Sequence, residues 1–183
     1  MKTNIVLIGF MGAGKTEVGR ILAKNYGFNF IDADSLIEKR EEMTISEIFS
    51  KKGEKYFRDL ETEILKELAF LKKQKRGTDL KSVPFLLSAG GGMPAFNDNM
   101  NLLKNIGTVL YLKADPSVIY ERIKSETHRP VLGGEGFTPA SIAAKLSERE
   151  KFYEKADIII YTDCLTQHAA AEEISIFLNL KNN

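Results

Sequence analysis

Five short apolar runs punctuate the chain, at Asn4 to Gly9, Phe28 to Ile31, Phe85 to Ala89, Thr108 to Leu112 and Asp157 to Tyr161, separated by stretches in which apolar residues recur at helical spacing. The runs are nearly continuous in Val, Ile, Leu and Phe. That pattern predicts strands covered on both faces, the parallel sheet of an α/β domain. Helix starts are marked at the expected places. Thr44 to Glu47 reads as a capping box, and Asp115-Pro116 and Thr138-Pro139 each place an N-cap residue before a proline at the first helical position. Two stretches break the periodicity. "KKQKRGTDLKSV", 72–83, is basic and predicted as a solvated surface loop; "ETHRPVLGGEGFTP", 126–139, packs three glycines and two prolines into a loop of the kind that closes over ligands. With no repeat and no long linker, one domain over residues 1–183 is expected.

Composition narrows the partners. The 183 residues carry a net charge of +1, so there is no broad attraction to nucleic acid or to an anionic membrane, and any anion must be held locally. The basic 72–83 stretch lacks the interleaved aromatics of a nucleic-acid patch. Cys164 is alone, which fits a reducing, cytoplasmic setting, and near a strand end it reads as a small apolar filler rather than a nucleophile. Lys2 and the apolar run from Ile5 to Ala13 imitate a secretion signal, but Lys15 breaks the run, and no other run approaches the roughly 20 apolar residues that span a bilayer.

Chemistry enters at "GFMGAGKTEVGR". Gly9, Gly14, Lys15 and Thr16 satisfy G-x-x-x-x-G-K-[ST] between a predicted strand and a predicted helix. Here the backbone of Gly12, Ala13 and Gly14 can wrap a polyphosphate, so that successive amides and the helix N-terminus face it, Lys15 adds a charge for the β/γ oxygens, and Thr16 offers a hydroxyl to Mg²⁺. Nucleoside triphosphate binding follows, but not its use. A GTPase switch is disfavoured: Leu112 to Asp115 imitates its base motif, yet no D-x-x-G occurs. A motor ATPase would be longer and would end a later strand on an acidic pair.

Asp32 and Asp34 close the second run; two apart on a strand, they would project to one side, toward the mouth of the sheet. One could orient hydrated Mg²⁺ and the other an acceptor hydroxyl, while a helix-capping role for one of them stands equally open. Arg58, Arg129 and Arg149 are candidates for an anionic acceptor, although each alone reads as a surface arginine, and Arg58 could pair with Glu54 or Glu61 on its own helix. Gly90, Gly91 and Gly92, directly after a strand, leave room only for a ligand or another backbone, or else form a flexible turn.

Taken in order, "GFMGAGKT", "DADSLI", "FRDLE", "SAGGG" and "RPVL" followed by "REKFY" resemble the shikimate kinases over nearly the whole chain. The resemblance implies a P-loop NTPase fold of the nucleoside monophosphate kinase kind: a five-stranded parallel sheet in the order 2-3-1-4-5, a substrate-binding helical region at about 32–60 and a lid at about 126–138. It implies transfer of the ATP γ-phosphoryl group to the 3-hydroxyl of shikimate, with Mg²⁺, by a monomer of the cytoplasm. By that resemblance Asp34 is the base and substrate ligand, Asp32 lies near Mg²⁺, Arg58 and Arg149 grip the substrate carboxylate, Gly90, Gly91 and Gly92 cover its ring, Arg129 reaches the transferring phosphate and Arg122 lies against adenine. The chain also departs from the family pattern. The stretch from Arg58 to the glycines is long, with its excess in 72–83; Glu17 stands where a hydroxyl residue is common, His128 where a basic one is, and the lid carries glycines and Glu135. Rival readings are a gluconate-type kinase of the same architecture and a nucleotide-binding regulator without catalysis, which would lack the base or the lid arginine.

Overall fold

The computed structural model describes residues 3–75, 83–124 and 138–181. The elements run β1 (Ile5–Ile8), α1 (Lys15–Tyr26), β2 (Asn29–Asp32), α2 (Ala33–Glu41), α3 (Ile45–Lys75), β3 (Phe85–Ser88), α4 (Asn99–Ile106), β4 (Thr108–Lys113), α5 (Pro116–Lys124), α6 (Pro139–Tyr153), β5 (Ile158–Tyr161) and α7 (Gln167–Phe177). All five expected strands form, within a residue or so of the expected bounds. They pair in parallel in the order β2-β3-β1-β4-β5.

The central strand explains the unbroken hydrophobicity of the first run. Successive residues of β1 point to opposite faces, so Val6 and Ile8 enter the layer built with α3, α4 and α6, while Ile5 and Leu7 enter the layer built with α1 and α7. All four are at most 1% exposed. The connection after β1 runs to β2 on one side of the sheet order and that after the adjacent β3 runs to β4 on the other, so the C-terminal ends of β1 and β3 flank the place where open α/β sheets bind ligands.

The helix signals act as read. Thr44 N donates to Glu47 Oε2 at 2.9 Å and Glu47 N to Thr44 Oγ1 at 3.3 Å, closing the capping box. Asp115 Oδ1 accepts from Ser117 N at 2.8 Å, and Thr138 caps α6 through Ser141 N at 3.1 Å. Two expectations are corrected. Lys72 to Lys75 continue α3 instead of opening a loop, because the buried stripe of Ile64, Leu65 and Leu68 carries the helix along α4 and lysines are good helix formers; Lys72 Nζ reaches Asn105 O at 2.8 Å. The rest of that basic stretch, 76–82, lies outside the described residues. Cys164 is exposed in the turn after β5 and fills nothing apolar. Among the described residues no helix is long and apolar enough to cross a membrane.

One feature of α3 has no precedent in the periodicity. Gly53 interrupts the helix with φ 82° and ψ 167°, a conformation open essentially to glycine, so the helix restarts with Glu54 and sends Arg58 and Glu61 inward one and two turns later. A Cβ at Gly53 would meet nothing within 4 Å. Gly53→Ala should therefore lower stability for conformational reasons alone, by about 1–3 kcal/mol, measured by urea unfolding; an unchanged midpoint would mean that the break can close into regular helix.

Candidate active site

At the C-terminal end of β1 the chain turns sharply into α1. Gly14, at φ 89°, caps the helix in a conformation that a side chain disfavours, and this places the first α1 amides at the sheet edge. Lys15 is buried and its Nζ donates to Gly9 O and Phe10 O, both at 2.9 Å, which holds the ammonium inside the loop it belongs to. Thr16 Oγ1 donates to Asp32 Oδ2 at 2.8 Å and lies 3.4 Å from Ser88 Oγ, so the ends of β1, β2 and β3 meet at one cluster of oxygens.

Asp32 serves two of the readings left open in the sequence. Its Oδ1 accepts from Ser35 N at 3.2 Å and caps α2, while its Oδ2 faces Thr16. Asp34 is not on the strand at all. It stands in the first turn of α2, so the pair shares the cleft because the helix starts between them, and strand alternation plays no part.

On the other side of the cleft, Arg58 is the most constrained cation. Its side chain is 9% exposed, with Nη1 donating to Glu61 Oε2 at 2.9 Å and Nε and Nη2 to Glu54 Oε1 at 3.2 and 2.9 Å. Phe57 and Phe96 lie 5.2 and 4.3 Å from the guanidinium carbon. The ion-pair reading of Arg58 is realised, and the paired guanidinium also lines the cleft. The triple glycine sits directly against this arrangement. A Cβ at Gly92 would lie 2.6 Å from Arg58 Nη1, and one at Gly90 would lie 2.7 Å from both Asp34 Oδ1 and Glu61 Oε1. Gly91 packs on the P-loop, 3.2 Å from Met11 N by the same measure. The expectation of a ligand or another backbone thus holds for Gly91, whereas Gly90 and Gly92 make way for site side chains.

One cleft of about 820 Å³ is lined by Gly12, Ala13, Gly14, Lys15, Thr16, Asp32, Asp34, Arg58, Gly90, Gly91, Gly92, Arg122 and Arg149. Arg149 lies 5.7 Å from the Phe10 ring, and Arg122 Nη2 donates to Thr162 O at 2.6 Å beside the P-loop. Glu17 reaches the mouth of the cleft, where it pairs with Arg20 at 3.1 Å. Arg129, His128 and Glu135, with the expected lid, lie outside the described residues.

The family described as shikimate kinase matches residues 11–179. The chain belongs to the shikimate kinase family. It is 45% identical over 171 residues to the shikimate kinase of Thermodesulfovibrio yellowstonii, covering 93% of this chain and 92% of that one. To the enzyme of Moorella thermoacetica it is 38% identical over 174 residues, 95% of this chain and 93% of the other. Among solved structures, shikimate kinase from Bacteroides thetaiotaomicron superposes with a TM-score of 0.83 at 31% identity, covering 97% and 99% of the two chains. The Acinetobacter baumannii shikimate kinase in complex with shikimate gives 0.81 at 34%, covering 97% and 93%. A gluconokinase from Sinorhizobium meliloti, at 17% identity and a TM-score of 0.58, shares the fold alone.

Within this family member, two site groups escaped the sequence reading as functional residues. Glu61 was visible only as an ion-pair partner on the helix; its burial depends on how α3 packs. Tyr153, in the "REKFY" stretch, gives no local signal that its hydroxyl reaches another element. Burial drives the Glu61 carboxyl up to about 7, against the pull of Arg58, and Asp34 adds to the rise. Its Oε1 has no hydrogen-bond partner among the described residues. The unfolded chain releases this proton near 4.5 and the folded chain near 7, so within that window the folded state holds more proton and stability falls as pH rises. Glu61→Gln should remove the slope: the stability of the variant minus that of the parent, from unfolding at pH 5 and pH 7.5, should rise with pH, and a difference independent of pH would contradict the assignment.

Proposed function

We infer that the chain transfers the γ-phosphoryl group of ATP to the 3-hydroxyl of shikimate, giving shikimate 3-phosphate for aromatic amino-acid biosynthesis. The observation that supports the reading is the cleft that brings the P-loop together with Arg58, Arg149 and the glycine loop. A planar guanidinium meets a carboxylate with two parallel hydrogen bonds, and two such groups on separate helices select an acceptor that carries one. Asp34 stands between these arginines and the P-loop, where it aligns the attacking hydroxyl and takes its proton. Lys15 and the amides of Gly12, Ala13, Gly14 and Thr16 hold the phosphates, Arg122 lies against the base, and Arg129 is assigned by resemblance to the phosphate as the 126–138 lid closes and excludes water.

The hydroxyl of Thr16 and the carboxylate of Asp32, with Ser88 beside them, form a hard-oxygen set suited to Mg²⁺, which keeps most of its own waters and asks for few protein ligands. When bound there, Mg²⁺ supplies charge neutralisation at the β and γ oxygens. We further assign residues 1–183 to one unit, acting as a cytoplasmic monomer on a small molecule, with neither nucleic acid nor membrane as partner. The helical region 32–60 forms the acceptor side.

Lys15→Ala and Arg129→Ala should each lower turnover on the order of a hundredfold or more with the fold intact, measured as shikimate-dependent ATP consumption and by far-UV circular dichroism. Arg149→Ala should raise the shikimate KM about 10- to 100-fold, the loss expected for a charge-assisted hydrogen bond, with the ATP KM little changed. It is a cleaner test than Arg58→Ala, which would also strand Glu61 without its buried partner. A coupled assay with shikimate, gluconate and no acceptor separates the readings. Stimulation by shikimate alone supports this one, stimulation by gluconate supports a gluconate-type kinase, and ATP binding without turnover supports a regulator.

A further inference from the structure

Tyr153 closes the "REKFY" stretch on α6, one helical turn after Arg149, so that the two side chains share a face. Its residue is fully buried, and the ring packs on Tyr111 with centroids 5.1 Å apart. The hydroxyl donates to Gly91 O at 2.5 Å, which ties α6, the helix that carries Arg149, to the glycine loop. Gly91 is the middle glycine of the acceptor loop. Its neighbours fit against Asp34, Glu61 and Arg58 with no room for a Cβ, and Gly91 itself packs on the P-loop backbone. A displacement of Gly91 by a few tenths of an ångström would thus be felt by groups on both sides of the cleft.

We propose that Tyr153 is a positioning residue that locks α6, and with it Arg149 one turn earlier, to the glycine loop, so that the two walls of the acceptor site hold one fixed separation. This rests on the acceptor assignment above. The phenol makes no contact that a purely packing role needs through its oxygen, since a phenylalanine would fill the same space against Tyr111. Burial raises the phenol pKa, which keeps the O–H donor in place at neutral pH. Facing this hydroxyl are the charged groups Arg149 from α6 and Arg58 and Glu61 from α3.

The test is Tyr153→Phe, with Tyr111→Phe as control. Tyr111 is the neighbouring buried ring, and its hydroxyl has no hydrogen-bond partner among the described residues. Two readouts are taken on the full chain: the KM values for shikimate and for ATP, and amide hydrogen exchange of the peptide covering residues 88–96 without any added ligand. Tyr153→Phe should raise the shikimate KM about five- to fiftyfold, leave the ATP KM within about twofold and speed exchange in 88–96. Tyr111→Phe should do none of these. Unchanged exchange in Tyr153→Phe overturns the coupling, as does faster exchange with an unchanged shikimate KM, or a rise of both KM values alike. A parent protein without shikimate-dependent turnover sinks the assigned function instead, and the exchange of 88–96 then decides the coupling by itself.

Discussion

A guanidinium that is 9% exposed, paired with a carboxylate that is fully buried, is the constraint around which the acceptor half of this molecule is arranged. Taking two charges out of water is favourable only if both find close partners. Burial works against the charge on Arg58, but Glu61 and Glu54 outweigh it and raise its pKa. Those two carboxylates reach the arginine as its i,i+4 and i,i+3 neighbours on the part of α3 that restarts after Gly53. The aromatic rings around Arg58 exclude water without competing for its donors, and Gly90 and Gly92 lack the one atom that would force the pair apart. Helix break, ion pair and glycine loop are a single solution to the problem of keeping a cation ready inside a protein.

The nucleotide half is built on a different principle. There the anion is met mainly by backbone, with Lys15 drawn back onto the carbonyls of Gly9 and Phe10 and Thr16 tied to Asp32. Backbone amides carry no conformational freedom to be lost when a phosphate arrives, whereas a flexible side chain does. The sheet brings the two halves together: β1 carries the P-loop, β3 beside it carries the glycine loop, and β2 beyond carries Asp32 and the start of α2. Adjacent parallel strands ending at one edge place these segments within one cleft although they are up to eighty residues apart in the chain.

The likeness to a gluconokinase at 17% identity fits this division. A common sheet fixes where the strand ends lie, and function is set by the groups placed around them. In this chain the groups around the cleft include two arginines and a close-packed glycine loop, and burial pushes the Glu61 carboxyl beside Arg58 up to about 7.

Much of this was legible in the chain. Unbroken apolar runs meant a parallel sheet, and the caps at Thr44, Asp115 and Thr138 marked helix starts, because these are local matters of periodicity and of orphan amides. The P-loop was legible for the same reason: its chemistry is contiguous. Local reading failed where the deciding neighbour lies far away in sequence. It placed Asp34 on a strand because alternation was the only rule at hand, it ended α3 too early because the stripe that packs on α4 could not be seen, and it offered the glycines room for a ligand or another backbone, or a flexible turn, when two of them make way for Asp34, Glu61 and Arg58. It had no means of telling that Arg58, paired on its own helix, would also line the cleft, since only tertiary packing decides that. The sequence by itself determined which segments fold and which loop receives a phosphate, both set by residues in contact along the chain. Tertiary structure alone decided which charges are buried, which glycines are irreplaceable and how Tyr153 meets Gly91, because burial and contact across elements depend on surfaces that exist only once the sheet and its helices have come together.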